Sequence, residues 1–395
     1  MDNDFLKSLE ILKSNGLIVH SSIEQKTING ITGIYATEDI SANTIITQIP
    51  HDLCITDNKN FSIVFNNKEI NTKYSKYIHC VAYLLYEKNN KNSIYKSYFK
   101  LLPKLDDLKK GVIDLNSEIY KDLKRVSTSI HTYIENGDKL LISNSNLINN
   151  FLKEYNLIYN KEEIEWGILF YTKYAWANCF CPILDLFNHS NTAHTQDLTP
   201  IKDRIIKTYK DIKKGEQIYD SYGAKDLVRI ALNYGFFDNS DDIYFIRLPQ
   251  ILFTAKNELN FFKAGLLINR IGAKITKHTD KGISVEISDI FISSDYFNKN
   301  IHENSKQANT KLNKFIEILV EVNLPYVLNI QSSDIRSNNF NSRLMELLLI
   351  LKNNFHSDIL KSSNEYSNEH QHIINAIIKK QNIIDKLIED CKKLL

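Results

Sequence analysis

Pro182-Ile-Leu-Asp-Leu-Phe-Asn-His-Ser190 is a short apolar run that ends in three polar groups, Asn188, His189 and Ser190. Downstream, Tyr219 and Tyr222 follow the turn-like Lys213-Lys-Gly-Glu-Gln217, and Tyr234-Gly235-Phe236 closes an apolar, helix-like run. An Asn-His pair with two aromatic-hydroxyl segments so close in sequence has the composition of a site rather than a core. Taken alone, a histidine after an apolar run is most often structural. Asp185, His189 and His194 also admit a metal-triad reading, because Asp185 and His189 share a helical face. Against it, no second histidine lies at the i+4 position, and His194 falls one residue too far. Asn188-His-Ser190 is formally a glycosylation sequon, which matters only in a secreted chain.

Outward from that stretch, the texture of the chain changes several times. Residues 4–14 put Phe5, Leu6, Leu9 and Leu12 on one helical face, and Asn15-Gly16 reads as the stop. From Leu17 to Thr56 come short β-branched runs: Gly33-Ile-Tyr-Ala36, Thr44-Ile-Ile-Thr-Gln-Ile49 and Leu53-Cys-Ile-Thr56. Gly30 and Gly33 sit in a tight connection there. A turn needing positive φ accounts for them, and close backbone approach to a ligand is the functional alternative. Residues 57–165 are Lys- and Asn-rich, with Ile78, Val81, Ala82, Leu84 and Leu85 at helical spacing, and they read as a helical insert. Strand texture is expected again from Trp166 to Phe237, with turns at Asn191-Thr192 and Lys214-Gly215. After Ile243-Tyr-Phe-Ile-Arg-Leu248 the chain is expected to stay helical. Its last element carries Ile373, Ile377, Ile384, Ile388, Cys391 and Leu395 on one face, packed inward, a rod of about 40 Å.

Bulk properties exclude several classes. At 395 residues the chain exceeds one ordinary core, so two domains, or one with a large insert, are expected. A net charge of +2 gives no field suited to nucleic acid or an anionic membrane. No apolar run is long enough to span a bilayer, and Met1-Asp-Asn-Asp-Phe-Leu-Lys7 lacks the pattern of a secretory leader. The five cysteines, Cys54, Cys80, Cys179, Cys181 and Cys391, are odd in number and mostly far apart. They predict free thiols in a reducing compartment, hence a cytoplasmic protein, or a nuclear one if the source is eukaryotic. Cys179 and Cys181 have no second pair nearby, so no zinc is expected.

In order along the chain, five segments resemble the SET-domain methyltransferases, specifically the branch like the Rubisco large-subunit lysine methyltransferase. Gly30-Ile-Thr-Gly33 through Ile40 resembles the family's opening glycine turn and strand, and Ile49-Pro50 its second strand's end. Ser97-Tyr98 with Leu102-Pro103 resembles its insert signature, and Asp185-x-x-Asn188-His189 its Asp-x-x-Asn-His segment. Gly215 to Gly223, followed by Tyr234-Gly235-Phe236, is similar to its closing Tyr-Gly and Tyr-Gly-Phe block. The resemblance runs from about residue 1 to 240 and weakly beyond.

The resemblance implies an α+β fold: a SET domain of short strands, with its N-terminal part at 1–60, a helical insert at 61–165 and its C-terminal part at 166–240. A mainly helical substrate-binding domain would follow at 241–395. It implies S-adenosyl-L-methionine as cofactor, no metal, and methyl transfer to a lysine of a protein substrate, with no nucleic-acid or membrane partner. Asn188 and His189 would hold the cofactor, with Asp185 in the same segment and with backbone groups of Ile31, Thr32 and Gly33. Tyr222 would stand at the transfer centre, with Tyr234 and Phe236 bordering the cofactor or the lysine channel. Two departures from the family stand out. Thr172-Lys173 takes the place of a Ser/Thr-Arg pair whose Arg reaches the cofactor carboxylate, so Lys173 would bind the cofactor there with its charge but without the bidentate fork. Leu227 stands where Asn is frequent. A scaffold that binds protein without turnover, and a histidine target in place of lysine, remain as alternatives.

Overall fold

The computed structural model describes residues 3–28, 31–176, 179–197, 203–223, 225–237, 243–248, 251–255, 274–279, 282–287, 290–298, 303–321, 327–328, 339–357, 360 and 370–395. The chain divides into two compact units, one of residues 1–110 with 136–222 and one of residues 111–135 with 223–395. Each has its own apolar core.

The first unit begins with the helix Asn3–Ser14, which buries Phe5, Leu9 and Leu12. Leu6, expected on the same face, is 40% exposed: it sits just outside the i, i+4, i+7 stripe that the other three define. Gly16, at φ +99°, ends the helix as expected. The strands Ile23–Ile28 and Ile31–Ala36 form an antiparallel pair with Lys26 opposite Gly33. A separate sheet runs in the order Ile18–Val19, Ile45–Ile49, Arg204–Thr208, Thr195–Asp197, so segments far apart in sequence meet in one layer. The expected strand at Leu53–Thr56 is instead a 3-10 turn, His51–Leu53, followed by a single bridge between Ile55 and Phe180.

Helices fill much of the stretch read as an insert. Lys76–Asn89 buries Ile78, Val81, Ala82, Leu84 and Leu85. The helix Thr128–Glu154 starts among residues of the second unit and continues into those of the first. Trp166 does not open a strand block: it lies within the helix Lys161–Tyr174, started by a capping box of Asn160 and Glu163. Strand pairing returns only after that helix ends.

In the second unit, the helix Leu227–Tyr234 packs with Gln371–Lys392, which in turn packs with Phe340–Asn353. Asp226 caps Leu227–Tyr234 by accepting from the Val228 N–H at 3.1 Å. Its other oxygen accepts from Arg247 N–H at 3.0 Å and from Lys380 Nζ at 2.6 Å. Ile373, Ile377, Ile384, Ile388 and Cys391 are buried as read, whereas Leu395 lies beyond the helix end and is 64% exposed. The chain does not stay helical after Leu248. Strands Ile251–Ala255, Gly282–Ile287 and Lys274–Thr279 pair antiparallel, with Val327–Leu328 on the outer edge of the first. The period-two spacing of Ile283, Val285 and Ile287 is a strand pattern, and it overrides the helical texture around it. No helix among the described residues is long and apolar enough to cross a membrane.

Candidate functional site

The apolar run 182–187 is a sharp corner. Ile183 is buried at φ 76°, ψ −43°, a region that β-branched residues rarely occupy. Such a conformation costs on the order of 1–3 kcal/mol and persists only where its surroundings impose it. Here a 3-10 turn, Leu184–Leu186, follows at once, and its Asp185 is locked in place. The Asp185 carboxylate accepts from Tyr98 Oη–H at 2.5 Å and from Cys181 N–H at 3.2 Å. Burial pushes its pKa well above the usual carboxylate range. Two motif residues from distant segments, Tyr98 and Asp185, are therefore one buried pair that fixes the corner.

Beyond the corner, Asn188–His189 pairs in parallel with Tyr219–Asp220, setting Asn188 opposite Tyr219 and His189 opposite Asp220. His189 Nδ1 accepts from the Tyr222 N–H at 3.0 Å, so that nitrogen carries no proton, and Nε2 donates to Asn191 Oδ1 at 3.1 Å. The Tyr222 ring stacks on His189 with centroids 4.9 Å apart, and its hydroxyl donates to the Phe187 carbonyl at 2.9 Å. Backbone, ring and hydroxyl of Tyr222 are thus each held by residues 187–189. His189 is the piece that aligns the tyrosine.

The opposite wall is the strand Ile31–Ala36. Asn188 Nδ2 donates to the Thr32 carbonyl at 2.9 Å, and Thr32 Oγ1 hydrogen-bonds Thr27 Oγ1 at 2.8 Å. Tyr35 Oη donates to Gln217 Oε1 at 3.1 Å. A Cβ on Gly33 would lie 2.1 Å from Gln217 Nε2 and 2.9 Å from Asn188 Nδ2. Gly33 lies within the strand and is not among the positive-φ glycines, so close approach, not turn conformation, requires glycine there. Gly30 lies outside the described residues.

Not every candidate joins this cluster. Lys173 is buried on the helix Lys161–Tyr174, its ammonium donating to the Lys110 carbonyl at 3.0 Å, with burial pushing its pKa down to about 8. Ile31 contributes its place in the strand. Tyr234 and Phe236 belong to the second unit, flank Gly235 at φ 73°, and have ring centroids 6.2 Å apart. Leu227 is buried as the first residue of its helix. The metal-triad reading has no support among the described residues: Asp185 and His189 have separate partners, and they form no ligand group with His194. The group that does form is Cys54, Cys179 and Cys181, all buried. Sequence spacing showed only two of these, since Cys54 comes from the far side of the Ile55–Phe180 bridge. Gln217 was also missed; its one signal is its place just before Tyr219 in the glycine-turn segment.

The model of the SET domain family matches residues 32–223. Those residues form a SET domain. The match takes in Thr32, Gly33, Asn188, His189 and Tyr222, and stops short of Tyr234 and Phe236. The chain is 22% identical over 260 residues to the Rubisco large-subunit N-methyltransferase of Pisum sativum chloroplasts. That alignment takes in 58% of this chain, and the chain spans about half (51%) of the length of that relative. Two structures of Rubisco LSMT are similar in fold across 100% of this chain and 92% of theirs. The one bound to AdoMet has a TM-score of 0.54 at 15% identity. The one bound to sinefungin and monomethyllysine has 0.52 at 16%. The SET domain of LSMT bound to methyllysine and AdoHcy reaches 0.57 at 15% identity. These likenesses establish an α+β SET fold.

Proposed function

We propose that the chain is an S-adenosylmethionine-dependent protein methyltransferase acting on a lysine side-chain nitrogen. The observation that carries this reading is the convergence of Gly33, Asn188 and Tyr222 on the corner Phe187–His189. The fit to the cofactor is chemical. Gly33 lets the amide ends of Gln217 and Asn188 pack directly on its strand; the Asn188 amide is oriented by the Thr32 carbonyl, and the buried Gln217 Nε2 is left as a donor for a bound group. Thr32, Gly33, Asn188 and His189 would hold S-adenosylmethionine, with Ile31 extending the same strand; the family resemblance adds Tyr234 and Phe236. When bound, the cofactor supplies a methyl group on a positively charged sulfur.

The protein's part is proton control and alignment. A lysine ammonium must lose a proton before its nitrogen attacks, at a cost of roughly 4–5 kcal/mol at pH 7. An apolar, aromatic surround lowers that cost, because desolvation disfavours the charged form. Tyr222 donates its own proton to Phe187, so its oxygen offers lone pairs rather than a proton to the transferring methyl. Such CH···O contacts are second-order; holding the nitrogen in line is the larger contribution. Asp185 acts at one remove, as a positioning residue for the corner.

The same proposal includes the division into a SET domain of 1–60 and 166–240, an insert at 61–165 and a substrate-binding region at 241–395. It also includes a protein partner bearing the lysine, and a cytoplasmic location. One observation favours the second reading, a SET scaffold that binds protein without turnover: Lys173 spends its ammonium on the Lys110 carbonyl. Titration calorimetry with S-adenosylmethionine separates the two. One-to-one binding, weakened in Asn188→Ala, supports the enzyme; no heat at millimolar cofactor leaves only the scaffold.

A further inference from the structure

Cys54, Cys179 and Cys181 form a cluster whose geometry follows from strand pairing. The bridge between Ile55 and Phe180 is antiparallel, with both N–H groups donating across it at 3.0 and 3.1 Å. One residue out on the same side, Cys54 stands opposite Cys181. Alternation along an extended strand then returns Cys179 to the face of Cys181. The Sγ atoms of Cys54 and Cys181 are 3.8 Å apart and those of Cys179 and Cys181 3.4 Å, with all three within 4.8 Å of one another. Zn–S bonds of about 2.3 Å in tetrahedral array put sulfurs about 3.8 Å apart. A disulfide would need sulfurs at about 2.05 Å, and all five cysteines are free.

Charge points the same way. Three thiolates around a divalent ion leave one surplus negative charge in a site where the cysteines are almost wholly buried. Arg204 Nη2 donates to Cys179 Sγ at 3.5 Å and supplies one positive charge at that sulfur. A monovalent ion would leave the cluster unbalanced.

We propose that Cys54, Cys179 and Cys181 bind one thiophilic divalent ion of the zinc class, with Arg204 as the balancing cation. The three thiolates occupy three positions of the ion, and any thiol still protonated gives its proton to solvent on binding. The ion pins the strand bridge that leads into the Pro182–Ser190 corner, and it takes no part in methyl transfer.

The test uses the full chain, purified under reducing conditions, stripped with a chelator, and titrated with Zn2+ and separately with Cd2+. One ion per chain is expected, with cadmium giving thiolate-to-metal ultraviolet absorption. Cys179→Ser should lose the stoichiometric ion and the absorption, whereas Cys80→Ser keeps both. Arg204→Gln should weaken Zn2+ binding on the order of 10–100-fold. If Cys179→Ser fails to fold, the wild-type cadmium spectrum decides alone. Absence of that absorption in the wild type, its full retention in a folded Cys179→Ser, or a Cys54–Cys181 disulfide in the reduced preparation would overturn the assignment.

Discussion

Gly33 and Lys173 show how much of the site rests on single atoms. At Gly33, an added methyl would press on two flexible amide ends, Gln217 Nε2 and Asn188 Nδ2, rather than on backbone. Both side chains can swing away, so Gly33→Ala should lower stability by only about 1 kcal/mol, a typical single-substitution effect. It should weaken S-adenosylmethionine binding far more, because Asn188 leaves the Thr32 carbonyl; paired melting and calorimetry check this, and equal losses in both would contradict it. At Lys173, a folded-state pKa of about 8 lies below the unfolded value of about 10.4. Between those pH values the unfolded chain holds the extra proton, so this group makes stability rise with pH through that window. The gain is on the order of 3 kcal/mol, absent below about pH 8 and complete above about pH 10.4. Urea melts of wild type and Lys173→Met across that range should differ by a gap that changes with this sign; a constant gap would refute the burial argument.

Elements carry the next layer. The Pro182–Ser190 stretch is legible as special because its polar end is so unlike a core strand, but its corner is not. Ile183 at positive φ, and the Tyr98–Asp185 pair behind it, depend on a contact 87 positions apart in sequence. In the same way Cys54 joins Cys179 and Cys181 only through the Ile55–Phe180 bridge. Helices with periodic burial are readable locally, as in Lys76–Asn89 and Gln371–Lys392. Trp166 misleads because aromatic and β-branched residues suit strands and buried helices alike; the Asn160–Glu163 capping box was the discriminating signal. In the second unit, Asp226 receives the Val228 and Arg247 N–H groups and the Lys380 ammonium, all with little solvent. Removing one member of a buried ion pair strands the other, typically at 3–5 kcal/mol. Asp226→Ala should lose at least that much in chemical denaturation, and Asp226→Ala with Lys380→Met together should recover part of it. A double variant no better than the single would show that the cap, not the pair, dominates.

For the whole molecule, the order of motifs was the most informative feature, and composition mainly set expectations about the class of partner. The SET domain was readable because its glycine strand, Asn-His segment and tyrosine block each have a local chemical pattern. Packing of residues 111–135 with 223–395 was not, since that association is non-local and leaves no periodic trace. Strands Ile251–Ala255 and Gly282–Ile287 were hidden in a region otherwise rich in helical spacing. The reading of the molecule as a lysine methyltransferase is tested most directly by methyl transfer itself. The full chain, given methyl-labelled S-adenosylmethionine and a cell extract, should label protein, and acid hydrolysis should return the label as N-methyl-lysine. Tyr222→Phe should lower the rate on the order of 100-fold, since the in-line position it helps to set is lost. Undiminished labelling by an Asn188→Ala, Tyr222→Phe double variant, or label recovered on histidine or on nucleic acid instead of lysine, would contradict the account.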